Sequence, residues 1–264
     1  MKLIDRSKLP DPKDTINHVK KNGFLICNNV IEYETTRELE KYWIDQFINI
    51  RKEEALKYYR SLLLRLGEEN FFASSTKKSD YRLKRQEFLW NEMHETTRSI
   101  VIEMHKYQNL CLDRDENEGL LYSQKKSALT LSVNYYPPTN GILSEHKDVF
   151  DSDLMLWMIF NLTYKGEHYD EGGTYIIDNE GKKINLDDLS GRGSIIFFNG
   201  ALNHGVDRII SNKNIGKISF FPFNVFFLNQ NLIPRSIKNL IKFYEKCGDM
   251  LGGKNKKRYG LKAE

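Results

Sequence analysis

The chain has 264 residues, of which 40% are hydrophobic and 29% charged, a balance suited to a soluble globular protein of one large domain or two small ones. No run of about 18 apolar residues is present, so no segment is expected to span a membrane, and Met1-Lys2-Leu3-Ile4-Asp5-Arg6 lacks the apolar core of a secretory signal. The 40 basic and 36 acidic residues leave a net charge of +4, too mild for a nucleic-acid footprint; the scattered Cys27, Cys111 and Cys247 form no C-x-x-C pair and fit reduced thiols in a cytoplasm.

In chain order, Thr15 to Lys21 is expected to be a short helix stopped at Asn22-Gly23, with Phe24 to Cys27 a strand. Glu34 to Leu66 carries apolar residues at helical spacing, including Leu39, Trp43, Phe47 and Ile48, and ends before Gly67. Ser74 to Asp80 has the composition of a polar loop within 71–85, and Glu87 to Tyr107 is expected to be helical. The character changes after Ser123. Ala128 to Tyr136, Leu154 to Leu162, Gly172 to Asp178, Lys183 to Leu186, Gly193 to Phe198, Val206 to Ile210 and Gly216 to Phe227 are short strand candidates divided by turn residues, the pattern of a β barrel or sandwich. Pro234 is expected to open a last helix, and Lys254 to Arg258 to form a solvated basic tail.

His146-Lys147-Asp148 is followed 58 residues later (204 − 146) by His204. Residues i and i+2 of a strand point to one side, so His146 and Asp148 can reach one ion together, with His204 arriving from a neighbouring strand. Two imidazoles and a carboxylate on one face of an octahedral ion leave three positions open, the facial triad of non-haem Fe(II) oxygenases. By the same parity Glu145 points away. His18, His94 and His105 fall in helix-like segments and read as surface or packing residues. His168, in the polar stretch Tyr164 to Asp170, is expected to be exposed.

From about Ala128 to Phe227 the sequence resembles the Fe(II)/2-oxoglutarate-dependent dioxygenases. Asn134-Tyr135-Tyr136-Pro137-Pro138 precedes the H-x-D, Gly172-Gly173 enters a strand, and Gly193 to Phe198 leads to His204-Gly205-Val206. The resemblance implies a mainly β fold with α additions: a double-stranded β-helix (jelly-roll) core over 126–228, a mainly helical part over 1–125 packed on one side, and a terminal helix and tail over 229–264, all in one domain. It implies Fe(II) held by His146, Asp148 and His204, with 2-oxoglutarate and O2 consumed and succinate and CO2 released. Asn134 and Tyr136 would line the co-substrate pocket. The family usually has Arg-x-Ser for the far carboxylate; here Lys217-Ile218-Ser219 stands 13 residues past His204 (217 − 204). Lysine is a point charge without a bidentate fork, so Ser219 and Tyr136 would have to help. Arg208, of the same strand parity as His204, is the rival anchor.

Asp148 is present where halogenating relatives lack the carboxylate, so the resemblance implies hydroxylation over halogenation, while desaturation, epimerisation and ring formation, which use the same triad, stay open. The walls expected around the mouth, 74–85, 149–153 and 164–170, mix aromatic and charged groups and suit a small polar substrate. The turn Ser211 to Gly216 does not resemble the Arg-rich run of nucleic-acid repair relatives. Two other readings use the same residues: a cupin-like metal enzyme, or a non-catalytic jelly-roll protein that binds a metal or ligand. The sequence leaves the oligomeric state open.

Overall fold

The computed structural model describes residues 3–48, 50, 56–57, 70–75, 81–89, 91–120, 127–148 and 155–226. The expected helix from Pro234, the basic tail, the wall segment 149–153 and Cys247 lie outside them.

Helix α1 (Pro12–Asn22) begins with Pro12 at its first position and the Asp11 carboxylate accepting from Lys13 N at 2.8 Å. It ends at Gly23, whose φ of 86° is the left-handed stop that a glycine adopts without strain. Strand β1 (Phe24–Cys27) follows, then α2 (Tyr33–Ile48), the short β2 (Leu56–Lys57), β3 (Phe71–Ser75), β4 (Arg82–Phe88) and α3 (Glu95–Cys111). The rest is β: β5 (Ser127–Tyr136), β6 (Leu143–His146), β7 (Leu156–Asn161), β8 (Glu171–Ile177), β9 (Lys183–Asn185), β10 (Ile195–Asn199), β11 (His204–Ile210) and β12 (Lys217–Phe226).

Two sheets, antiparallel except for the β2–β3 pair, face each other. The larger has the order β1-β10-β7-β12-β5-β4-β3-β2 and the smaller β6-β11-β8-β9. Strands β5 to β12 pass back and forth between the sheets as a double-stranded β-helix, as expected, with the β8–β9 hairpin lying wholly in the smaller one. The outward face of the large sheet carries Leu131, Val133, Met158, Phe160, Phe197 and Phe220. These pack with Val19 of α1, Leu39, Trp43 and Phe47 of α2, and Ile100, Val101 and Met104 of α3 in one apolar core. The alternate residues face into the barrel, where Ile196 and Phe198 meet Ile176 and Leu186 across the two sheets.

Two expectations from the N-terminal half fail. The helix through Leu66 ends at Ile48, and Leu56–Lys57 pairs in parallel with β3; pairing to a sheet edge overrides helix-forming composition. Residues 58–69 lie outside those described. Of the expected polar loop, Ser74 and Ser75 end β3 and residues 76–80 lie outside those described, while Arg82–Phe88, which includes the start of the expected helix at Glu87, is β4, paired with β3 and with β5. In Arg82–Phe88 polar side chains fall on both faces: Glu87, 3% exposed, is paired with Arg85 at 3.1 Å, while Lys84 and Gln86 are also buried. With no apolar alternation, nothing marked this strand in the sequence. Helix α3 starts only at Glu95.

Candidate metal centre

His146 and His204 are direct cross-strand partners at the ends of β6 and β11. Asp148 lies two residues beyond β6, and its N–H donates to Gly200 O at 2.9 Å, which docks the end of the H-x-D against the β10–β11 turn. The three side chains converge: His204 Nε2 is 3.3 Å from Asp148 Oδ2, His146 Nε2 is 3.8 Å from Asp148 Oδ1, and the ligating atoms all lie within 4.8 Å of one another. Metal–ligand bonds of ~2.1 Å place neighbouring donors of an octahedral ion roughly 3 Å apart. The donor set therefore fits a divalent ion of that geometry.

The imidazoles are aimed by the backbone. His146 Nδ1 lies 2.8 Å from Ser144 O, and His204 Nδ1 lies 2.9 Å from Leu202 O. A carbonyl can only accept, so each Nδ1 carries the proton and each Nε2 turns its lone pair toward the shared point. Asp148 is held by the Trp157 indole, whose Nε1 donates to Oδ2 at 2.6 Å. Burial pushes the Asp148 carboxyl up, but with no ion bound and the imidazoles also protonated at Nε2, the His204 hydrogen bond, the charges of His204 and His146, and the indole together hold it below the usual carboxylate range. Gly200 makes this arrangement possible: a Cβ there would stand 2.3 Å from Trp157 Nε1 and 3.2 Å from Asp148 Oδ2. The His204 side chain is nearly buried, while those of His146 and Asp148 are 36% and 28% exposed and form the rim.

The expected co-substrate residues occupy the inner face of the large sheet. Lys217 pairs with Tyr136, and Ser219 pairs with Asn134 on one side and Asn161 on the other. Tyr136 packs with Tyr169, Val206 and Ile209, which ties it to the small sheet. Lys217 is fully buried. Its Nζ lies 2.7 Å from Asp187 Oδ2 and 2.8 Å from Asn161 Oδ1. Asp187 also accepts from the Tyr169 hydroxyl at 2.6 Å, Thr174 N at 3.0 Å and Asn161 Nδ2 at 3.1 Å. Burial raises the Asp187 carboxyl, yet the Lys217 ammonium and these donors hold it below its ordinary value, so the acid is ionised. Burial lowers the Lys217 ammonium, and Asp187 only partly restores it. The two are a matched pair of charges in the barrel interior. At Gly173 (φ 117°) a Cβ would stand 2.5 Å from Asp187 Oδ2, so the glycine pair at the start of β8 leaves room for this carboxylate.

Arg208 does not face the interior. The β11–β8 register shifts between Asp207 and Ile210, so Ile209 is buried while Arg208 is exposed, its Nη1 3.5 Å from Thr139 O. A bulge moves every later residue to the other face, which cancels the parity with His204.

His168 is also corrected: it is 4% exposed. Its Nδ1 accepts from Tyr164 N at 3.0 Å, so Nε2 bears the proton and faces Glu40 at 3.2 Å. Glu40, Glu167 and His168 could in principle hold an ion. Arg192 instead bridges both carboxylates, reaching Glu167 through two bonds of 2.8 Å and Glu40 through Nη1, so the cluster is an ion-pair knot joining α2 to these loops. His105 is buried, as a packing residue would be, and its Nε2 bonds to Glu118 O at 2.7 Å.

Sequence reasoning missed Trp157, Asp187, Tyr169 and Asn161. Trp157 and Asn161 share one face of β7, a period-2 signal hidden inside a continuous apolar run. Asp187 lies beyond β9 in a segment with no motif.

No protein-family model and no curated protein sequence matches this chain. Solved structures do match. A Pseudomonas putida prolyl-4-hydroxylase covers 81% of this chain and 97% of its own at 13% identity, with a TM-score of 0.53. A full-length Neurospora crassa protein, solved in complex with alpha-KG, covers 84% of each chain at 13% identity, with a TM-score of 0.54. A putative 2OG-Fe(II) oxygenase family protein from Caulobacter crescentus covers 85% of this chain and 87% of its own at 10% identity, with a TM-score of 0.51. Strands β5 to β12, which bring His146, Asp148 and His204 together, thus build a double-stranded β-helix fold that this chain shares with these solved structures, a putative 2OG-Fe(II) oxygenase family protein among them.

Proposed function

We propose that the chain is an Fe(II)- and 2-oxoglutarate-dependent oxygenase that hydroxylates an unactivated C–H of a small polar substrate and releases succinate and CO2. The convergence of His146 Nε2, His204 Nε2 and the Asp148 carboxylate, with both Nδ1 protons fixed on backbone carbonyls, carries this reading. His146, Asp148 and His204 would hold the ion and would leave it open to co-substrate and oxygen. The ion, once bound, supplies the O2 chemistry; the protein supplies orientation, charge and exclusion of water.

The chain's own residues do the following. Ser144 O and Leu202 O fix the ring orientations, and Trp157 fixes the carboxylate plane. Phe198, 5.1 Å from the His204 ring, and Phe221, 5.5 Å from Trp157, keep the inner side of the centre dry. Ser219, Asn134 and Tyr136 offer polar groups along the inner face to the co-substrate. Lys217 has one N–H beyond those given to Asp187 and Asn161, and in this reading it meets the co-substrate's far carboxylate. Its charge is already matched, so the contact is a hydrogen bond more than a neutralisation.

No helix among the described residues is long and apolar enough to cross a membrane. Cys27 and Cys111 are free and buried, and burial raises their thiols to about 11 and about 12. These inert thiols suit the cytoplasm, where we place the protein. His204→Ala is expected to abolish both Co(II) binding, read by its visible absorption, and substrate-stimulated succinate release. Full turnover by that variant would remove His204 from the ligand set.

A further inference from the structure

Leu83, Leu131, Val133 and Tyr135 pack into the core beneath the helices. By alternation their neighbours Lys84 and Gln86 on β4, and Ser132 and Asn134 on β5, face the other way, the side on which Tyr136 meets Val206 and Ile209 of the small sheet. Gln86 and Ser132 are direct cross-strand partners and both are fully buried. Among the described residues, neither Gln86 Nε2, Gln86 Oε1 nor Ser132 Oγ has a hydrogen-bond partner. Buried polar atoms rarely go unmet, and each left so weakens the fold. Three on two facing side chains mark a surface built to meet something else. Lys84, 6% exposed, stands on the same face two residues away. It is linked to the metal centre by contacts: its Nζ lies 5.9 Å from the Phe221 ring centre, that ring is 5.5 Å from Trp157, and Trp157 bonds to Asp148.

We propose that Lys84, Gln86 and Ser132 form a seat for a carboxylate-bearing ligand beside the metal centre. The Lys84 ammonium supplies the charge, while Gln86 Nε2 and Ser132 Oγ donate to the carboxylate oxygens. Gln86 Oε1 then requires a donor on the ligand. Two acids have the shared chemistry, the 2-oxo acid and the organic substrate. 2-Oxoglutarate has no N–H or O–H beside its far carboxylate, so an α-amino or N-acylamino acid substrate completes the seat better. Naming the ligand rests on the oxygenase reading; the seat itself rests on the unmet atoms.

The test is calorimetric, on the full chain with and without Mn(II). Titrants are 2-oxoglutarate, a panel of α-amino and N-acetylamino acids, and the amides of those acids. The proposal expects at least one acid to bind the wild type, with its amide at least tenfold weaker. Lys84→Met and Gln86→Met are expected to weaken that acid at least tenfold, and Ser132→Ala several-fold. Gln86→Met is also expected to raise the ligand-free Tm, because it removes two unmet polar atoms, an effect that a purely structural role for the amide would reverse. Weakening of 2-oxoglutarate alone assigns the seat to the co-substrate, and weakening of an amino acid alone assigns it to the substrate; both support the seat. Wild type that binds no acid, amides that bind as well as acids, or variants that bind as wild type does would overturn it. Failure of wild type to bind Mn(II) would instead sink the oxygenase reading, and the metal-free titration would still read the seat.

Discussion

Trp157 Nε1 donates to Asp148 Oδ2 across 2.6 Å, and Gly200 is the residue whose missing side chain lets the indole come that close. A ligating carboxylate held by an outer partner keeps its orientation when no ion is bound. Losing such a partner commonly costs about ten- to a hundredfold in metal affinity. Trp157→Phe, which keeps the ring and removes the N–H, is expected to weaken Co(II) or Mn(II) binding within that range. Gly200→Ala is expected to act in the same direction by displacing the indole. Equilibrium dialysis of both variants against wild type checks this, with circular dichroism confirming the fold.

The Lys217–Asp187 pair is fully buried, so removing one partner strands the other charge. Lys217→Met and Asp187→Asn are each expected to cost about 3–5 kcal/mol in urea unfolding, and the double substitution Lys217→Met/Asp187→Leu less than either. Arg208→Ala, on the exposed side of the β11 bulge, is expected to stay within about 0.5 kcal/mol. It should leave the 2-oxoglutarate requirement unchanged, whereas loss of Lys217 should raise it. The reverse ranking in a succinate-release titration would return the anchor to Arg208.

Acid stability follows from the same pair. Asp187 is held below its ordinary value, so its stabilising contribution is complete above the pKa it has when unfolded, ~3.9, and fades as pH falls through the lower folded value. Wild-type Tm is therefore expected to fall steeply below about pH 4. The double substitution should show a shallower acid limb, measured by calorimetry from neutral pH down into the acid range where both carboxyl forms are protonated.

Arg192 joins Glu40 of α2 to Glu167, with His168 against Glu40. Arg192→Leu leaves Glu40, 12% exposed at its side chain, without its guanidinium. The expected cost is about 2 kcal/mol, the scale of a hydrogen bond to a charged group. Metal binding should be unchanged, which dialysis would check.

Strands β5 and β7 to β12, and the three residues of the candidate metal centre, were legible from local pattern. Turn residues at short intervals bounded each strand, and the H-x-D spacing reached one side of an extended chain because side chains alternate with period two. The helix stop at Gly23 was equally local, a matter of one residue's backbone freedom. Other features came into being only when the sheets closed. A bulge in β11 turned Arg208 outward, and a bulge depends on strand pairing rather than on composition. Strand β4 carries lysine and glutamine inside the barrel, so no apolar alternation announced it. Asp187 and Trp157 joined the site from segments 30 and 9 residues distant (217 − 187 and 157 − 148) because opposed sheets bring unrelated stretches together. Partnership between buried charges is a property of that closure, and local patterns carry no trace of it.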